Sequence, residues 1–223
     1  MSGQEWRDQR VLRNAWRAAQ DRITASGGRV STITLGMGAD PQRREPVRAW
    51  TLLLAPPWGR AIFDDGTGSV DVVTRLNQWW SNANGVSRSN ETVDSARFSH
   101  GLGWGEDLVR THDYVDCLQI TSLEKSSWLG RLTLDVIATL VHEGRPRRGS
   151  RGLHGLTLGD PALVSLTVDI ERGVILRSES WFEGSMYRSL RVTEVYFDEQ
   201  FPADTFNIEP LPGQQWTPPL SWP

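Results

Sequence analysis

The clearest structural signal is residues 163–208, which read LVSLTVDIERGVILRSESWFEGSMYRSLRVTEVYFDEQFPADTFNI. Leu166, Val168 and Ile170 alternate with polar residues, and this period of two is typical of a β-strand with one buried face. Turn residues divide the stretch into three predicted strands, at 163–170, 174–182 and 186–197. The third strand is rich in β-branched and aromatic residues, which favour sheets. The sequence therefore predicts a three-stranded antiparallel meander.

The third predicted strand contains a change of phase. Leu190 and Val192 share one parity, whereas Val195 and Phe197 share the other. One extra residue near Thr193-Glu194 would bring both pairs to the same face, and such a β-bulge bends the strand. We therefore expect a curved sheet.

Short phrases in this region resemble a known family. They are VDIERGVILRS at 168–178, VTEVYFD at 192–198 and FPADTF at 201–206. In content and order they resemble the C-terminal half of actinobacterial proteins similar to the lipoprotein carrier LolA, and of related lipoprotein-sorting and RseB-type domains. The resemblance implies an α+β fold: a strongly curved antiparallel sheet, or half-open β-barrel, with one or two helices in its concave face. In that superfamily the hollow holds acyl chains or other apolar ligands, and the phrases carry no catalytic signature.

The rest of the chain fits one domain over residues 1–223, with an N-terminal helix within 1–26. Leu12, Trp16, Ala19 and Ile23 recur at helical spacing and form one apolar stripe. Further strands are predicted at 29–35, 47–54, 59–63, 70–73, 77–81, 118–123 and 131–141, which with the meander makes about nine to eleven. Irregular segments are predicted as a flexible loop at 81–105, a basic loop at 143–153 and an irregular tail at 210–223.

Composition excludes several classes of function. The net charge of −3 and the pI near 5.8 give no general attraction to nucleic acid. The single cysteine, Cys117, cannot form an internal disulfide, and no Cys/His spacing is typical of a zinc site, so we expect no metal and no cofactor. The N-terminus shows no signal peptide, and no run of about 20 apolar residues could form a transmembrane segment, so we expect a cytoplasmic protein.

The candidate ligand-binding residues are mostly aromatic. Eleven tryptophans are many for 223 residues, and their large apolar rings can line a hollow as well as fill a core. The candidates are Trp16, Trp50, Phe63, Trp80, Trp104, His112, Leu134 and Val136. His112 falls on the apolar side of a predicted helix over 105–118, together with Leu108 and Val115. A histidine there is more often a hydrogen-bonded core residue than a catalyst.

Three functions follow from these observations. The resemblance implies non-catalytic binding of a lipid, acyl chain or apolar natural product in the hollow, as a carrier or sensor. An enzyme would use the same hollow as a reaction chamber with His112 as acid or base, but no second titratable group is placed beside His112 by the sequence. An RseB-like regulator would instead bind a protein partner through a sheet edge or the basic loop.

Overall fold

The computed structural model describes eleven strands and much of the C-terminal region of the chain. The described residues are 33–38, 49–55, 58–64, 69–75, 78–83, 85–89, 117–141, 161–197 and 200–217, with Arg10, Asn14 and Leu108 as isolated positions. Arg10 and Asn14 have helical backbone and exposed side chains, in agreement with the predicted N-terminal helix. The other residues of that helix lie outside the described residues, as do the basic loop and the end of the tail.

The described strands form one antiparallel sheet of eleven strands. They are β1 (Ile33–Gly38), β2 (Ala49–Ala55), β3 (Trp58–Asp64), β4 (Ser69–Arg75), β5 (Gln78–Ala83), β6 (Val86–Ser89), β7 (Leu118–Trp128), β8 (Arg131–Leu140), β9 (Leu163–Asp169), β10 (Ile175–Phe182) and β11 (Ser185–Val195). Their order is β6-β5-β4-β3-β2-β1-β11-β10-β9-β8-β7. The sheet is open, with β6 and β7 as its outer strands. The predicted number of strands is confirmed. The pairing of β1 with β11 joins strands β1 to β6 to strands β7 to β11.

The three-stranded meander predicted from residues 163–208 is β9-β10-β11. The first turn contains Gly173 at φ +66°, and the Asp169 carboxylate accepts the backbone N–H groups of Glu171 and Arg172, both at 2.8 Å. The second turn has Glu183 at φ +50° and Gly184 at φ +77°. Two consecutive positive φ angles are typical of a type I′ turn, whose twist matches that of the strands it joins.

The predicted bulge in β11 is confirmed by the register. Val192 pairs with Leu35 and Glu194 pairs with Thr34, so Thr193 is the extra residue. Further register shifts lie at Ile120/Ser122 in β7 and at Ile175/Arg177 and Ser180/Trp181 in β10. Because a bulge bends its strand and increases the local twist, the irregularities favour curvature on this side of the sheet.

The hydrophobic core lies against one face of the sheet, here called the core face. It is marked by the direct partners Leu134–Val168 and Val136–Leu166, whose side chains are at most 3 % exposed. The other buried members of the cluster are Ala61, Leu108, Leu118, Ile120, Ala138, Val164, Val174, Ile175, Leu176, Leu190 and Val192. Leu108 is helical and fully buried in this cluster, which agrees with the apolar side predicted for the helix over 105–118.

The opposite face of β3 to β5 is covered by residues 200–217, here called the C-terminal strap. Trp58 stacks on Trp80 at 6.3 Å and on Phe206 of the strap at 6.2 Å. Arg60 pairs with Asp71 on the neighbouring strand and donates a 2.6 Å hydrogen bond to the carbonyl oxygen of Thr205. The strap is irregular, as predicted for the tail, but it is tied to the sheet by specific bonds.

The prediction of a loop from residue 81 is wrong for its first part. β5 continues to Ala83, and Val86–Ser89 form β6, so β5 is an interior strand. Strand β6 shows no apolar periodicity, because hydrogen bonds with the strap hold it in the sheet more than side-chain burial does. The sequence does contain a hairpin signal, Asn84-Gly85, and Gly85 adopts φ +72° in the turn.

Candidate functional site: the core face of the sheet

The structure separates the predicted site residues into three groups. Leu134 and Val136 lie on the core face and are 3 % and 0 % exposed. Trp50 and Phe63 are direct partners in β2 and β3. Trp80 lies on the opposite face, where its ring stacks on Trp58 beneath the strap. Trp80 is therefore not brought together with Leu134 and Val136.

The remaining predicted site residues are Trp16, Trp104 and His112, which lie outside the described residues. Their roles in binding or catalysis stay predictions. Leu108, four residues before His112, is helical and belongs to the core cluster. The predicted end of this helix at residue 118 is wrong, because Leu118 is the first residue of β7.

Sequence reasoning missed a polar site on the core face of β10. Ser178 lies between Leu166 of β9 and Leu190 of β11, and Ser180 lies between Val164 and Arg188. Ser178 is 1 % exposed and Ser180 is fully buried. Neither hydroxyl oxygen has a hydrogen-bond partner among the described residues. Most buried polar groups in proteins are hydrogen-bonded, so two unpaired hydroxyls this close together are unusual.

A buried cation adjoins these serines. Arg188 of β11 is the direct partner of Ser180, so both side chains leave the sheet on the same face. Arg188 is 7 % exposed and also makes contacts within the protein. The signal in the sequence is the segment Arg177-Ser-Glu-Ser180, which is polar at both parities within a strand whose neighbours are apolar on one face.

The opposite face of β8 to β11 carries paired charges. Buried Glu179 accepts hydrogen bonds from Arg177 at 2.6 and 2.8 Å and from Arg191 at 3.1 Å. Arg131 contacts Asp169, which is fully buried, and donates to Glu171 at 2.9 Å. Burial lowers the pKa of Arg131, but the hydrogen bonds and negative charges of Asp169 and Glu171 raise it above its ordinary value overall. These charges are already paired within the sheet, and they join neighbouring strands to one another.

The described part of the chain contains no group of three or more histidine, cysteine, aspartate or glutamate side chains arranged to hold a metal ion. None of its helical residues belongs to a helix long and apolar enough to cross a bilayer.

Comparison with known proteins gives structural matches only. No protein-family model and no curated protein matches the chain significantly. An uncharacterised conserved protein from Thermus thermophilus matches with a TM-score of 0.54 at 12 % identity, covering 91 % of this chain and 98 % of that one. The MucA/MucB complex of Pseudomonas aeruginosa matches with a TM-score of 0.53 at 11 % identity, covering 88 % of this chain and 61 % of the matched chain.

A weaker match is a LolA superfamily protein from Nitrosomonas europaea, with a TM-score of 0.37, 11 % identity, and coverage of 87 % of this chain and 96 % of that one. At such identities the matches concern the fold alone. The chain spans less than two thirds of the matched MucB-complex chain. The two matches with TM-scores above 0.5 show that the chain shares the fold of the Thermus thermophilus protein and of the matched chain in the MucA/MucB complex.

Proposed function

We propose that the protein binds a hydrophobic ligand, such as a lipid, an acyl chain or an apolar natural product, on the core face of a half-open barrel. Binding is non-catalytic, and the two helices predicted from the sequence would fill only part of the concave side. Single antiparallel strands lie about 4.8 Å apart, so an eleven-stranded sheet is roughly 50 Å wide. Two short helices, each about 10 Å across, do not cover a face of that width.

The apolar character of the core face is the observation that carries this proposal. The opposite face differs from it: the strap covers β3 to β5, and paired charges lie on β8 to β11. The core face is apolar from β7 to β9 and again at Val192 in β11, and it continues through Ala61 and Val72 in β3 and β4. An apolar concave surface with few polar groups is typical of sites for apolar small molecules.

Curvature would turn this face into a hollow. Register shifts lie in β7, β10 and β11, and each bulge bends its strand. Within the described sheet β7 pairs with no strand on its outer side, so a ligand could enter beside β7 without breaking a strand pairing.

The test compares one residue on each face of the β7–β8 hairpin. Leu123 packs against the core cluster on the core face, whereas Ile137 is 38 % exposed on the opposite face. We expect a long-chain fatty acid or the neutral dye N-phenyl-1-naphthylamine to change tryptophan fluorescence saturably. Leu123→Gln should weaken binding about 5-fold, because burial of a leucine side chain contributes on the order of 1 to 2 kcal/mol.

Ile137→Gln is the matched control and should bind like the wild type. A non-saturable response, or equal loss of affinity in both variants, would count against the core face as the binding site. Native mass spectrometry of freshly purified protein should in addition detect a co-purified apolar compound.

Protein binding is a second candidate, favoured by the outer strand β7. It is eleven residues long, and within the described sheet it pairs only with β8, leaving the other row of backbone groups unpaired by any described strand. Such an edge can accept an extended peptide as an additional strand. Slower amide hydrogen exchange in Leu118–Trp128 on addition of a partner would support this function, and unchanged exchange there would contradict it.

A further inference from the structure

We propose that Ser178 and Ser180, with Arg188 beside them, form a polar anchor for the carboxylate headgroup of a single-chain amphiphile such as a free fatty acid. This inference rests on the proposed binding function and specifies the chemical class of the ligand. It is carried by two serines that are 1 % and 0 % exposed and lie on the core face, and whose hydroxyls have no hydrogen-bond partner in the part of the chain that the structure describes.

Burying these two hydroxyls without hydrogen-bond partners among the described residues costs free energy. A hydroxyl removed from water without a new hydrogen bond is destabilising, whereas alanine at the same position would carry no such cost. A ligand atom that accepts hydrogen bonds from both hydroxyls would remove the cost in the bound state. Unpaired buried polar groups that a ligand satisfies are found at binding sites, where orientation depends on a few polar contacts in an apolar surface.

The spacing of the two serines fits one small headgroup. Residues two apart on a strand lie about 6.6 Å apart along it, and their side chains project on the same side. A carboxylate has two oxygens with several lone pairs, and it can accept a hydrogen bond from each side when it lies between the two hydroxyls. A hydrocarbon offers no acceptor at all.

The charge of Arg188 selects an anionic headgroup over a neutral one. Its guanidinium lies on the same face as Ser180, in a direct cross-strand pair, and is 7 % exposed. In a poorly hydrated environment a fixed positive charge attracts a carboxylate more strongly than it would in water. Arg188 keeps its contacts within the protein, and the serine hydroxyls provide the direct hydrogen bonds.

The surroundings of the serines fit one acyl chain. Val164 and Leu166 lie beside them on β9, and Leu190 lies beside Ser178 on β11. All three side chains are at most 1 % exposed and belong to the core cluster. A tail that displaces the groups now covering these side chains would therefore contact apolar surface on both sides of a headgroup at β10.

The experiment uses the double variant Ser178→Ala/Ser180→Ala and two probes. N-phenyl-1-naphthylamine is apolar and neutral, and dodecanoate, used below its micellar concentration, displaces it. We expect dodecanoate to bind the variant about 10-fold more weakly than the wild type, the loss expected for two hydrogen bonds. The dye should bind both proteins equally, and thermal stability without ligand should stay equal or rise, because alanine leaves no unpaired hydroxyl.

Thr133→Val is the matched control. Thr133 also has a buried hydroxyl without a partner, but it lies on the opposite face, across from Asp169. Its substitution should leave the affinities for dodecanoate and dye unchanged. Equal dodecanoate affinity in the double variant and the wild type would overturn the anchor. Dye binding to both proteins would at the same time support the apolar binding site. Parallel loss of dye binding and stability would also overturn it, and failure of the wild type to bind either probe would overturn the proposed function and the anchor together.

Discussion

Asp169 shows how a single buried carboxylate can organise a turn. It is fully buried at the end of β9, where it accepts the backbone N–H groups of Glu171 and Arg172 and pairs with Arg131. The Asp169 side chain thus joins β9 to Arg131 of β8 and to the turn that follows β9. The apolar alternation of residues 163–170 does not show this role, because Asp169 has the parity that the pattern assigns to the exposed face.

Asp169→Asn should lower the free energy of unfolding by about 2 kcal/mol, because it removes a charge-assisted hydrogen bond from Arg131 to a buried carboxylate, while Arg131 keeps its pair with Glu171. Glu171→Gln is the control: the Glu171 side chain is 59 % exposed, so its pair with Arg131 should contribute at most about 0.5 kcal/mol. Urea denaturation of both variants measures the difference. Equal effects would show that burial does not determine the strength of these pairs.

The pH dependence of Arg131 follows from its raised pKa. A group whose pKa is higher in the folded state contributes stability below its unfolded pKa and loses that contribution as the pH rises through the folded value. Since arginine titrates only at very alkaline pH, this contribution should stay constant from about pH 5 to pH 10. Urea denaturation across this range measures it, with Arg131→Lys as the comparison.

At the level of elements, the C-terminal strap completes the outer edge of the sheet at β6. Ser87 is fully buried, accepts a 2.7 Å hydrogen bond from the Leu211 backbone N–H and donates another to Asn82. Thr217 forms a parallel bridge with Arg88, and its hydroxyl donates to the carbonyl oxygen of Ser87 at 2.8 Å. The strap therefore covers an edge that would otherwise be open to pairing with another chain.

Ser87→Ala should lower stability by about 1 to 2 kcal/mol, since it removes two hydrogen bonds from a buried position. It should also speed proteolysis within residues 200–217, because the strap loses one of its attachments. Ser89→Ala changes a neighbouring strand position whose bond to the strap is made by the backbone, and it should have little effect. Limited proteolysis followed by mass spectrometry distinguishes them; unchanged cleavage in Ser87→Ala would contradict this role of the serine.

At the level of the whole molecule, a variant of His112 distinguishes a protein that only binds its ligand from one that converts it. If it only binds, His112→Ala should change ligand affinity slightly, because apolar area supplies most of the free energy. If His112 is a general acid or base, the same variant should keep binding and lose turnover by roughly 100-fold or more. Fluorescence titration with a fatty acid, together with mass spectrometry of the recovered ligand, separates the two. Chemical conversion of the ligand by the wild type alone would contradict the carrier.

The sequence by itself determined the meander, its turns and the β11 bulge, because strand parity and turn residues act over a few neighbouring positions. It also indicated the fold through residues 168–206. Three features needed the tertiary structure: the placement of Trp80 on the opposite face, the strand β6, and the serine pair on β10. Each depends on neighbours outside the segment itself. Register decides which face a residue occupies, hydrogen bonds from the distant strap hold β6, and only the packed neighbours decide whether a polar group is buried without a partner.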